Sequence, residues 1–147
     1  MKIKTMKYIK YPIILICLTL CISGIRWLVS SEPWMLDQVA NEERLKMSFV
    51  QLFLIEENST LGEYLKQIYR FLGLYVLGIG LTFLFFMSND FFQNTKFVKR
   101  ILIILGILLF SNLLLAYVWI PSSHFIFFIW GAILLHLFSC YNFIKNR

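Results

Sequence analysis

Four apolar runs leave this chain little choice of fold: Pro12 to Val29, Phe71 to Met87, Ile101 to Ile120 and Phe125 to Phe143. Each approaches the roughly 20 residues with which an α-helix crosses about 30 Å of hydrocarbon. In hydrocarbon every backbone N–H and C=O needs a partner within the protein, and a continuous apolar run of this length meets that demand as a helix. Composition agrees. Of 147 residues, 59% are hydrophobic and 15% charged, where soluble domains are about half apolar and about a quarter charged. The 15 phenylalanines exceed what so short a soluble chain could bury, but lipid can cover them. The expected fold class is all-α, a polytopic membrane four-helix bundle. It forms one domain over 1–147, with spans near 11–30, 68–88, 100–120 and 124–143.

Local signals refine the ends. "TLGE" has the capping-box form, with Thr60 as N-cap and Glu63 at the third helical position. It predicts a helix starting near Leu61, with Leu61, Leu65 and Ile68 at the interface. Ser88 and Asn89 end that helix, and "IPSS" turns the third span into the fourth. The first run, preceded by Lys2, Lys4, Lys7 and Lys10, resembles a signal peptide. Its apolar stretch continues past Ser23 into Ile25, Trp27, Leu28 and Val29, which favours a retained anchor helix over cleavage.

Charge predicts orientation. Lys2, Lys4, Lys7, Lys10, Lys96, Lys99, Arg100, Lys145 and Arg147 fall on one side of the spans, nine of the 14 basic residues, with Asp90 the only acid there. The other side carries Arg26, Arg44, Lys46, Lys66 and Arg70 against seven of the eight acids. Basic loops stay in the cytoplasm, so both termini are expected there, in a cell membrane. The net charge of +6 is then a topology signal, and no nucleic-acid partner is implied.

The segment 31–60 is the one sizeable extramembrane piece, expected as an extracytoplasmic helical lid between helices one and two. Ser31 is a candidate N-cap, with Glu32 in the first turn and Pro33 tolerated there. "SFVQLFLI" (48–55) is too short to span. It reads as an interfacial helix, a re-entrant turn or a lid, with simple shielding of apolar surface preferred.

Candidate site residues are few. Arg26 lies 15 residues beyond Tyr11, about 22 Å along a helix, and Arg70 lies 18 residues before Ser88, about 27 Å by the same rise. Both reach the outer-leaflet boundary. Arg26 shares a face with Thr19 and Ser23, and Arg70 shares one with Gly73, Leu77 and Gly80. Small and polar faces belong to helix contacts, so Gly73 and Gly80 are expected against a neighbour and both arginines are expected in one pocket beneath 31–60. The arginines can pair with Glu32, Asp37 or Glu63, or snorkel to lipid phosphate. They can also hold an anionic head group with a planar bidentate fork, a role weighed below the other two. Tyr69 and His124 complete that candidate ligand-binding set, with Tyr117 and Trp119 at the same level. Deeper, Asn112 and His136 are the intramembrane polar candidates. For His136 the preferred role is a hydrogen bond to another helix through Thr82 or Asn112. Cys17, Cys21 and Cys140 show neither CxxC spacing nor a Cys/His cluster, so no metal site is expected. No catalytic residue and no cofactor are expected either.

"YRFLGLYVLGIG" (Tyr69 to Gly80) resembles the Arg-aromatic-x-Gly opening of the second helix in small four-helix membrane families. Among these are DoxX-like proteins and the ergosterol-biosynthesis scaffold family. The long first outer loop and short last loop are similar as well. The acidic position of the scaffold family's third helix has no equivalent in "ILIILGILLFSNLLLAYVWI". The resemblance implies a four-helix bundle and a non-catalytic accessory role.

The leading expectation is therefore a non-enzymatic accessory or scaffold subunit, in contact with membrane lipid and with another membrane protein. The alternative is a lipid- or quinone-handling protein, a binding protein or an enzyme, with an outer-leaflet anionic head-group site and His136 as a proton carrier. A cavity open to the outer leaflet would favour the second, and tight filling between the helices the first.

Overall fold

The computed structural model describes residues 3–146, and among them the regular elements are helices alone. In chain order they are α1 (Ile3–Val29), a 3-10 turn (Pro33–Asp37), α2 (Gln38–Leu45) and α3 (Phe49–Leu54). A second 3-10 turn (Glu56–Asn58) follows, then α4 (Leu61–Phe85), α5 (Asn89–Phe92), α6 (Thr95–Trp119) and α7 (Phe125–Lys145). Four stretches are long and apolar enough to cross a membrane: Met6–Val29, Glu56–Phe85, Thr95–Trp119 and Phe125–Lys145. The chain is a multi-pass membrane protein on that measure. Lys2 and Arg147, which contribute to the basic bias, lie outside the described residues.

Two end signals act differently from expectation. α4 does start at Leu61, but Thr60 has helical backbone angles and its side chain caps nothing. An N-cap needs extended backbone to turn its oxygen onto the helix N–H groups. Ser48 has that geometry. Its hydroxyl accepts from Gln51 N–H, and Gln51 reaches back to the Ser48 N–H, so the capping box opens α3 instead. Ser31 is not a cap either: the 3-10 turn begins at Pro33 with Glu32 at the capping position. Asn94 caps α6, accepting from the N–H groups of Lys96 and Phe97.

α1 is the central helix, packed along α4 and along α7, with α6 laid on α7. The seam with α4 is made by missing side chains. A Cβ on Gly24 would stand 2.6 Å from the Leu77 nitrogen and 2.7 Å from the Gly73 oxygen. One on Gly73 would meet the Gly24 oxygen at 2.7 Å, and one on Gly80 would meet Cys21 Sγ at 2.7 Å and the Cys17 oxygen at 3.0 Å. Backbone therefore lies on backbone, the arrangement small residues permit between spans. The α1–α7 seam carries a buried polar contact: Ser139 Oγ donates to the Ile9 oxygen at 3.1 Å, sharing its hydrogen with Leu135 of its own helix.

The main apolar core joins Ile9, Ile13 and Ile16 of α1 to Phe83 of α4, Leu102 and Leu105 of α6, and Ile133 and Phe143 of α7. It lies toward the end of the helices where α4 hands over to α6. There Phe86 and Phe97 meet edge to face at 5.4 Å. At the opposite end the 31–60 segment lies against α1 and α4.

Candidate functional site

The 31–60 segment is fastened by side chains from one helical face. Pro33 holds the first position of its turn, where a missing N–H costs nothing. Trp34 behind it is buried against Phe53 (5.4 Å, edge to face) and Phe49 (6.2 Å). Asp37, Asn41 and Arg44 then follow at helical spacing. The Asp37 carboxylate, 12% exposed, accepts from Ser123 Oγ at 2.5 Å and lies 3.2 Å from His124 Nδ1. Asn41 Nδ2 donates to the Tyr69 hydroxyl at 3.2 Å and to the Trp34 carbonyl at 2.9 Å. The Arg44 guanidinium stands 4.9 Å above the Trp119 ring. One face thus reaches the turn before α7, the side of α4 and the end of α6.

The turn from α2 into α3 has its own polar centre. Lys46 adopts a left-handed φ of 58°, which ends α2. Glu42 Oε1 accepts from the Phe49 N–H at 3.0 Å and from Gln38 Nε2 at 2.9 Å. The Phe49 N–H first, and the Gln38 amide second, hold the Glu42 carboxyl below the usual carboxylate range.

Beside this fastening lies a cleft of about 340 Å³ at the head of α4. Trp34 and Phe53 form its aromatic wall, with Gly62 among the lining residues; Glu32, Glu63 and Lys66 supply charge. The side chains of Glu32, Glu63 and Lys66 make no ion pair or hydrogen bond among the described residues.

Of the residues singled out from sequence, Tyr69 and His124 meet the 31–60 segment through Asn41 and Asp37. The arginines do not join them. Arg26 and Arg70 are both exposed, neither lines the cleft, and neither makes an ion pair among the described residues. Phase explains Arg26. It comes two residues after the seam residue Gly24, roughly 200° around the helix, so it points away from α4. Its companion Thr19 is half-buried and bonds the Leu15 carbonyl of its own helix at 3.0 Å. The expected shared pocket is replaced by a glycine seam.

His136 is buried at 4% exposure, and the expected partners are elsewhere. Thr82 donates to the Gly78 carbonyl and Asn112 to the Leu108 carbonyl, both on exposed helix surface. Instead His136 Nε2 lies 3.5 Å from Cys140 Sγ, while Nδ1 is buried without a partner among the described residues. A Cβ at position 106 would stand 2.9 Å from that Nε2, so Gly106 makes the room the ring occupies. Among the described residues no group of three or more His, Cys, Asp or Glu is placed to hold a metal ion.

Asn41, Ser123 and Gly106 escaped the sequence reading. The 37, 41, 44 spacing was the available signal for the first. Nothing local marks Ser123 as the partner of a residue 86 positions earlier. Comparison with protein-family models, with curated proteins and with solved structures finds no match.

Proposed function

We propose that the protein is a non-enzymatic accessory or scaffold subunit of a membrane assembly. In this reading the four spans form a bundle with both termini cytoplasmic, and 31–60 is an extracytoplasmic lid. The observation that carries it is on the lipid-facing side. Gly78 of α4 and Gly131 of α7 are exposed, and a Cβ on either would meet nothing within 4 Å. Glycine in a helix costs about 1 kcal/mol against alanine. At Gly24, Gly73 and Gly80 that cost is offset by packing within the chain; at Gly78 and Gly131 it is offset only if another helix approaches. Asn112, also exposed within a span, adds a polar group that a neighbouring helix could meet.

The lid reading draws support from the way Asp37, Asn41 and Arg44 all engage the spans, and from exposed Val50 and Leu54 on α3, which suit an interfacial position. The resemblance of "YRFLGLYVLGIG" to small four-helix scaffold families points the same way. The alternative, an anionic head-group site at Arg26, Arg70, His124 and Tyr69, has less support, because Asp37 and Asn41 engage the last two.

Two measurements test the proposal. Gly78→Leu and Gly131→Leu should leave the detergent melting curve unchanged while removing a membrane protein that co-purifies with the parent chain; undiminished co-purification would overturn the accessory role. For orientation, single cysteines at the exposed positions Glu57 and Gln93, in a chain lacking Cys17, Cys21 and Cys140, should differ. An impermeant maleimide should label position 57 from outside and spare 93, and the reverse pattern would invert the topology.

A further inference from the structure

We propose that the cleft at the head of α4 binds a small zwitterion in which an ammonium group stands next to a phosphate, the chemistry of ethanolamine and choline phosphate head groups. Four observations converge on that class. The volume, about 340 Å³, falls within the roughly 300–1,000 Å³ of small-molecule sites. Phe53 and the edge of the buried Trp34 line the cleft as an aromatic wall, their rings edge to face at 5.4 Å, an apolar surface for the carbon groups around an organic ammonium, which aromatic rings attract. Glu32 and Glu63 supply negative charge and Lys66 positive charge, and these side chains are not engaged with each other or with any other described residue. An ammonium alone would leave Lys66 unanswered, while a phosphate alone would face two carboxylates. A zwitterion answers both, with Lys66 as a compact charge for phosphate.

Depth is the fourth observation. Gly62 is 23 residues from the far end of α4 at Phe85, roughly 35 Å at ~1.5 Å per residue. Hydrocarbon occupies about 30 Å, and head groups flank it on each side. The cleft therefore sits at head-group level. This inference goes beyond the accessory reading and borrows from it only the nearness of 31–60 to the membrane surface. Binding of the soluble compounds tests it without that premise.

Gly62 provides the cleanest perturbation. A Cβ there would lie 3.9 Å from both the Trp34 and Phe53 rings, ordinary contact, so alanine fits and a larger side chain enters the cleft. The full chain in detergent micelles, and in nanodiscs of phosphatidylglycerol, is titrated with phosphoethanolamine, phosphocholine and short-chain phosphatidylethanolamine while tryptophan emission is followed. The expected result is a saturable change that survives Gly62→Ala and disappears in Gly62→Leu. Combined Glu32→Gln and Glu63→Gln substitutions, at exposed positions, should weaken binding roughly tenfold or more, equivalent to about 1.4 kcal/mol. Equal saturation by soluble and lipid forms identifies the head group as sufficient, whereas saturation by the lipid alone identifies a membrane lipid as the source. An absence of saturation by any of the three, a response unchanged in both Gly62→Leu and the double carboxamide variant, or the same response to inorganic phosphate or Ca²⁺ alone would overturn the proposal.

Discussion

The α1–α4 seam and the 31–60 segment are held by opposite means. The seam works by subtraction: Gly24, Gly73 and Gly80 remove side chains until backbone meets backbone. The segment works by addition: Asp37 reaches the turn before α7, Asn41 the side of α4 and Arg44 the end of α6. Dispersion between close backbones carries no charge and tolerates no added volume. Polar fastening has the reverse profile. It accepts changes of size at its margins and responds to loss of a charge or a proton. The comparison teaches that one molecule can hold a part meant to stay shut beside a part held by a few separable bonds.

The sharpest way to break the comparison is to add volume to each kind of glycine. Gly80→Leu drives a side chain into Cys21 and the Cys17 carbonyl. It should lower stability by about 3 kcal/mol, the upper end of the overpacking range. Gly78→Leu, two residues away on open surface, should stay within about 0.5 kcal/mol of the parent. Melting in mild detergent checks the pair, and equal losses would show that the seam is not a distinct structure.

A smaller effect is expected on the polar side. Asp37→Ala removes the acceptor for Ser123 and His124. It should loosen the segment by about 1.5–2 kcal/mol, the lower part of the range for a hydrogen bond to a charged group. Limited trypsin digestion at Arg44 and Lys46 should accelerate while the melting of the spans hardly moves. Unchanged digestion would mean that Trp34 and its aromatic neighbours suffice without the carboxylate.

The smallest effect is one of pH. Because the folded Glu42 carboxyl titrates below its unfolded value, its contribution is complete above the ordinary Glu range near about 4.3. It fades as pH falls through the lower folded value. Amide exchange at Phe49 should therefore quicken in acid, and Glu42→Gln should remove most of that pH dependence. A variant with the parent's full pH dependence would place the titrating group elsewhere.

These contrasts also explain which features could be read from sequence. The spans were legible because apolar length is a one-dimensional property. So were Gly73 and Gly80, since a buried glycine in a span has few uses besides close approach. Thr19, Thr82 and Asn112 misled because each hydroxyl or amide satisfies itself on the carbonyl four residues back. A polar group that can do this needs no neighbouring helix, so polarity alone does not mark the inward face. Gly24 marked it instead, and with it Cys17 and Cys21. The fastening of the 31–60 segment was half legible. Asp37, Asn41 and Arg44 repeat at helical spacing, but the first stands in a 3-10 turn and the others in α2. Their partners Ser123, Tyr69 and Trp119 are set by the tertiary arrangement.

The bond between Asp37 and Ser123 spans 86 residues, and that separation bears on biogenesis. Synthesis proceeds from the N-terminus, and spanning helices insert before they associate. α1 and α4 can close their glycine seam once Phe85 has been added. Asp37 has no Ser123 to engage until the turn ahead of α7 has been made. During that interval the segment has Asn41 on Tyr69 and the Trp34 cluster to hold it, and a chain arrested before Pro121 lacks the Asp37–Ser123 bond. The clasp, unlike the glycine seam, therefore forms only in a chain that already carries the turn ahead of α7.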